Sequence, residues 1–93
     1  MKLKFICEDT YEAEKFSSMF ALQKDKSILV KEINKIIENE IILNLNDGTC
    51  HSISFKDKDN ATMLKDLFPK IFLNREKIVS IGFVDNEVTI DLE

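Results

Sequence analysis

Two runs of strict alternation close this chain. Val79, Ile81 and Phe83 alternate with Ile78, Ser80 and Gly82; Val88, Ile90 and Leu92 alternate with Glu87, Thr89 and Asp91. A period of two is the pattern of a half-buried strand. With Asp85-Asn86 as a two-residue turn, Val84 pairs with Glu87, Phe83 with Val88, Ile81 with Ile90 and Val79 with Leu92. Val79, Ile81, Phe83, Val88, Ile90 and Leu92 then share one face. A slip of one residue scatters them, so the pattern fixes the register. Asn86 tolerates the positive φ that such a turn asks for. The result is a β-hairpin with an apolar face that needs cover, and the rest of the chain must supply it.

The chain has 93 residues, which fits one domain, 1–93. A chain of this length buries roughly 60–65% of its unfolded surface, enough for one modest core and too little for a deep enclosed site. Hydrophobic residues are 44% and charged residues 32%, a globular balance. No apolar run reaches membrane-span length, and the short apolar run in MKLKFICEDT is followed at once by acids. The expected setting is the cytoplasm, with no membrane partner.

The formal net charge is −4 and Arg75 is the sole arginine. Generic nucleic-acid binding needs a positive surface that displaces counterions, and bidentate phosphate contacts are mostly arginine work. The composition argues against direct generic nucleic-acid binding. The wealth of Lys, Ile, Asn and Glu is also what an AT-rich genome produces.

In chain order, Leu3, Phe5 and Cys7 alternate with Lys2, Lys4 and Ile6 in a first strand. Asp9 and Glu12 have capping-box spacing, and Ala13, Phe16, Met19 and Phe20 follow at helical intervals over Thr10 to about Gln23. Residues 27–39 are rich in β-branched side chains. Leu29, Val30, Ile33, Ile36 and Ile37 nevertheless fall on one arc of a helical wheel, opposite Lys31, Glu32, Asn34, Lys35 and Glu38. This spacing predicts a second helix.

Next comes a hairpin in which Ile41, Leu43 and Leu45 face His51, Ile53 and Phe55. A three-residue turn with Gly48 left-handed pairs Leu43 with His51 and Ile41 with Ile53. With Asp59 or Asn60 as cap, Ala61, Met63, Leu64, Leu67, Phe68, Ile71 and Phe72 form the arc of a third helix, kinked or stopped by Pro69. The order reads β-α-α-β-β-α-β-β. The class is α+β, a mainly antiparallel sheet of about five strands with three helices on one face. A helix-hairpin repetition from residue 27 to 93 is faint and falls short of a duplication.

Little in the chain suggests catalysis. Cys50 and His51 are strand neighbours and point to opposite faces. Cys7, Cys50 and His51 lack the ligand count and close spacing of a zinc site. No Gly-rich phosphate loop or calcium loop is present. The expectation is a non-enzyme with no cofactor, no metal and no catalytic residues, its cysteines reduced and packed.

The remaining surface is the open sheet face, with Ile6, Ile42, Ile78 and Val84 among Ser52, Ser54, Ser80, Thr89 and Asn44. Beside it runs an acidic tail, since Asp85 to Glu93 holds four acids and no base. The expected protein-binding residues are Ile78, Val84, Glu87, Asp91 and Glu93. The expected partner is a larger protein or protein–nucleic-acid complex with a basic surface. Size, acidity and composition are those of accessory proteins of phages and mobile elements, inhibitors such as anti-CRISPR proteins among them. The alternatives are a homo-oligomeric structural module or homodimer, a nucleic-acid-binding domain and, last, a Cys/His enzyme or metal protein.

Overall fold

The computed structural model of the chain describes residues 1–25, 30–68 and 78–93. Its elements are β1 (Lys2–Ile6), α1 (Thr10–Asp25), β2 (Val30–Ile37), β3 (Glu40–Leu45), β4 (Cys50–Ser54), α2 (Lys58–Phe68), β5 (Ile78–Val84) and β6 (Glu87–Leu92). They form two antiparallel three-stranded sheets, ordered β1-β6-β5 and β2-β3-β4. The fold is α+β as expected. The five-strand, three-helix count gives way to six strands and two helices among the described residues. The helix stretch expected beyond Phe68, with its kink at Pro69, lies outside the described residues, as do residues 27–29.

The predicted helix over 27–39 is the main correction. Residues 30–37 are a strand, paired with β3. Its burial has a period of three: Val30 is buried, Ile33 and Ile36 are half-buried, and the residues between are exposed. Register shifts between Val30 and Glu32 and between Ile33 and Lys35 explain this. Each shift inserts one extra residue, Lys31 or Asn34, into the strand. A bulge turns the next side chain back to the face that strict alternation denies it. Two bulges in succession stretch a spacing of two into three, which a helical wheel also gathers into one arc.

The closing hairpin keeps the expected pairs of Val84 with Glu87, Phe83 with Val88 and Ile81 with Ile90. It departs at its open end. Ile78, not Val79, lies opposite Leu92, and the register shifts between Ile78 and Ser80. The bulge at Val79 turns Ile78 into the core and Val79 outward. The positive φ of the turn falls on Asp85, at 54°, rather than on Asn86. The β3–β4 hairpin pairs Leu43 with His51 and Ile41 with Ile53, and Gly48 takes a φ of 88°, as the three-residue turn requires.

The two sheets meet at one bridge, Cys7 opposite Phe55. Around it the interactions of one half repeat in the other. Glu8 N donates to Ser54 O at 3.0 Å, and Lys56 N to Ile6 O at 2.9 Å. Cys7 N donates to Asn86 O at 2.7 Å and Phe55 N to Asn39 O at 2.8 Å. The Asn86 side-chain amide returns a bond to Cys7 O, as that of Asn39 does to Phe55 O. Glu38 and Asp85, the first turn residues of their hairpins, share a φ of 53–54°. Both helices start alike: Glu12 N donates to Asp9 Oδ1 at 2.9 Å, and Asn60 N to Asp57 Oδ1 at 3.1 Å.

The chain is therefore built from two equivalent β-α-β-β units, residues 2–45 and 50–92, related by a local two-fold at the Cys7–Phe55 bridge. Each unit lends its first strand to the other: β1 adds to the β5–β6 hairpin and β4 to the β2–β3 hairpin. This is not the repetition expected over residues 27 to 93: that one needs a helix over 27–39, whereas the counterpart of α2 is α1 and that of the closing hairpin is β2–β3. The cap of α2 is Asp57, not Asp59 or Asn60. Bonds from the Asn60 side chain and backbone hold its carboxyl below the usual range.

One core joins both units. Phe5 of β1, Phe16 of α1 and Phe55 beyond β4 are fully buried, with ring centroids 5.1 to 6.0 Å apart. Ile41, Leu43, Ile53, Leu64, Val88 and Ile90 complete it. α1 packs on the β5–β6 hairpin and α2 on β3.

Candidate functional site

On β6 the side chains divide cleanly. Val88, Ile90 and Leu92 are buried, while Glu87, Thr89 and Asp91 are half-buried on the outer face. The registers on both sides set three rows across that face: Ile6–Glu87–Val84, Lys4–Thr89–Gly82 and Lys2–Asp91–Ser80. The other unit has its own rows, Ser54–Glu40–Ile37, Ser52–Ile42–Lys35 and Cys50–Asn44–Glu32. Asn44 Nδ2 donates to Glu32 Oε1 at 3.1 Å, and Ser54 Oγ donates to Glu40 Oε2 at 3.4 Å. The rows of Ile6 and Ser54 lie nearest the two-fold.

The expected binding residues separate. Val84 is 75% exposed and lies on the outer face beside Glu87, with Asp91 two rows away. Glu93 is exposed just past the end of β6. Ile78 is not on this face: it is 8% exposed and part of the core, because the bulge at Val79 reverses the alternation there.

The face is also less acidic than its sequence. Lys4 Nζ lies 3.8 Å from Glu87 Oε1, and Lys2 is paired opposite Asp91. An exposed pair of this kind is worth about 0–1 kcal/mol in stability, yet it offsets the charge a partner meets. Lys2 and Lys4 were legible as outward-facing residues of a strand, but nothing in the sequence says that β1 lies beside β6. The exposure of Phe83 was missed too. It faces the core side, but β5 is an outer strand among the described residues, and Phe83 stays 40% exposed.

The thiol and imidazole groups do not converge. Cys7 is fully buried at the junction of the sheets. His51 and Cys50 are exposed at the far end of β4, roughly 13 and 17 Å along the strand from Phe55 at about 3.3 Å per residue. Burial, then the charges of Glu12 and Asp9, pushes the Cys7 thiol up to about 12. It stays protonated at neutral pH and is a poor nucleophile or metal ligand. Among the described residues no three His, Cys, Asp or Glu side chains lie together as a metal site would need.

Among the described residues Glu12 is the one buried acid, and its role is structural. Glu12 Oε1 accepts a bond from Ser54 N at 2.7 Å, and its other oxygen is 2.9 Å from Lys15 Nζ. In the equivalent place Asn60 Oδ1 accepts from Ile6 N at 3.0 Å. Both residues hold the lead strand of the opposite unit.

Comparison of the chain with protein-family models, with curated proteins and with solved structures finds no match. Among the described residues no helix is long and apolar enough to cross a membrane.

Proposed function

We propose that this protein is a small non-enzymatic binding domain that docks on a larger protein through the outer face of its C-terminal hairpin. The observation that carries the reading is Val84, a large apolar side chain 75% exposed next to Glu87, in a sheet row whose far member is Ile6. Apolar side chains grouped on an exposed face mark interaction sites. Acids beside them favour a partner with a basic surface, either a protein or a protein–nucleic-acid complex. Composition supports a cytoplasmic inhibitor of the kind that phages and mobile elements carry, anti-CRISPR proteins included. The domain itself is proposed to bind generic duplex DNA only weakly at physiological salt.

A pull-down of host proteins with the wild-type chain and with Val84→Asp, read by quantitative mass spectrometry, tests this. A partner captured by the wild type and lost with Val84→Asp supports the reading. Equal capture by both chains sinks it.

A further inference from the structure

We infer that β5 pairs with β5 of a second copy of this chain, antiparallel about a two-fold axis at Gly82. Because β1 and β4 meet at the Cys7–Phe55 bridge, the outer strands of the joined sheets among the described residues are β2 and β5. These two strands occupy equivalent places in the duplicated fold, so the difference between them is informative. β2 carries Lys31, Glu32 and Lys35 and two bulges. Charges and bulges are the devices by which soluble proteins block an outer strand. β5, reading Ile-Val-Ser-Ile-Gly-Phe-Val, has no charge at all. Its single bulge lies at its start, and Ser80 to Val84 pair with β6 in unbroken register.

The segment from Ser80 to Val84 is self-complementary. Pairing about Gly82 sets Gly82 against the Gly82 of the second copy. Ile81 then meets Phe83 of the second copy, and Ser80 meets its Val84. On the core side each half-buried Ile81 would gain the 40% exposed ring of a Phe83, an aromatic–aliphatic cross-strand pair of the favourable kind. Self-pairing of β2 about Ile33 would instead set Lys31 against Lys35 of the second copy, like charges directly opposed. Pairing of β5 with β2 would leave an open edge on each end and grow a filament, whereas β5 with β5 closes as a dimer. The occupant is thus a second copy, and the outer faces proposed for docking remain open on both.

Sedimentation of the purified chain, with no partner present, tests this. A mass twice the 10.8 kDa of the chain is expected at micromolar concentration. Gly82 accepts a side chain, since a Cβ there meets nothing within 4 Å. Gly82→Lys places two ammonium groups at the axis and is expected to weaken dimerisation by at least about tenfold, with the circular dichroism of the fold unchanged. Gly82→Thr, which adds a strand-favouring side chain without charge, is expected to stay dimeric. If Gly82→Lys does not fold, Ser80→Lys, which sets an ammonium against Val84 of the second copy on an otherwise uncharged strand, is expected to weaken the dimer in the same direction. A wild type that sediments as a monomer overturns the proposal. So does a dimer indifferent to a folded lysine variant in β5, or one dissociated by Lys35→Glu in β2.

Discussion

Asn86 grips Cys7 at both ends of its peptide unit: its carbonyl accepts from Cys7 N at 2.7 Å, and its side-chain amide donates to Cys7 O at 3.0 Å. The second residue of a hairpin turn thus fastens the end of β1, the first strand of the other unit. Asn39 does the same for Phe55. Replacing Asn86 by Ala leaves a partly buried carbonyl short of a donor, at an expected cost of about 1–3 kcal/mol. Because the two turns are equivalent, Asn39→Ala is expected to cost a similar amount. Urea melts of both variants check this, and a loss at one site only would show that the equivalence is geometric and not energetic.

Core packing gives a second test. Phe5→Ala removes a fully buried ring in contact distance of Phe16 and Phe55, and should cost about 3–5 kcal/mol. The alternation in β5 alone assigns Phe83 the same weight. Its exposure reduces the expected cost of Phe83→Ala to about 1 kcal/mol, the transfer term of a half-covered side chain. Melts of the monomeric chain that rank Phe83 level with Phe5 would contradict the placement of β5 as an outer strand.

The two hairpin registers were legible because their turns and alternations agree, and Gly48 at a positive φ settled one of them. The duplication was hidden because equivalent positions share geometry and not chemistry. Cys7 matches Phe55, Glu12 matches Asn60, and Phe16 matches Leu64; Asp9 with Asp57 and Asn39 with Asn86 are among the few that repeat. Strand β2 was hidden by its bulges, which mimic a helical period. The exchange of lead strands is a long-range choice that local pattern does not encode, so Lys2 and Lys4 could not be placed beside the acids of β6.

A third prediction follows from those bulges. Ile36 packs against the core while its neighbour Ile37 is 48% exposed. A helical stripe would bury both. Ile36→Asp is expected to lower the melting midpoint clearly, since it replaces a core-packed, half-buried apolar side chain with a carboxylate. Ile37→Asp is expected to change the melting midpoint little. The order of the two variants in thermal melts decides between the strand and the helix.

The buried thiol sets an alkaline limit on stability. Below the ordinary thiol value of 9.0, Cys7 is protonated in folded and unfolded chains alike. Between 9.0 and about 12 the unfolded chain releases a proton that the folded chain keeps. The unfolded state then binds fewer protons, so stability falls as pH rises through that window and is fully retained below it. Cys7→Ala should flatten the loss seen as pH rises from 9.0 toward about 12. At neutral pH a thiol reagent should label exposed Cys50 at once and Cys7 only on unfolding. Rapid labelling of both would show that the junction of the sheets opens readily.

The docking face yields the last prediction. Charge mainly governs how fast partners meet, whereas buried apolar contacts govern how long they stay. Glu87→Lys with Asp91→Lys should therefore slow association with a basic partner and reduce its salt dependence, while Val84→Asp should speed dissociation. Ile78→Asp is unsuitable for this purpose, because Ile78 is in the core and the variant should unfold. Lys4 supplies the sharper test. It sits 3.8 Å from Glu87 and is itself largely exposed, so Lys4→Ala removes a charge that opposes a basic partner and leaves the core untouched. Association should then be faster than for the wild type at low salt, and the difference should vanish as salt screens it. Surface-binding kinetics at two salt concentrations measure all three variants against a captured partner. If Lys4→Ala slows association, Lys4 is itself a contact and the partner's surface is acidic. If none of the three alters binding by more than about tenfold, roughly 1.4 kcal/mol, the interface lies off this face.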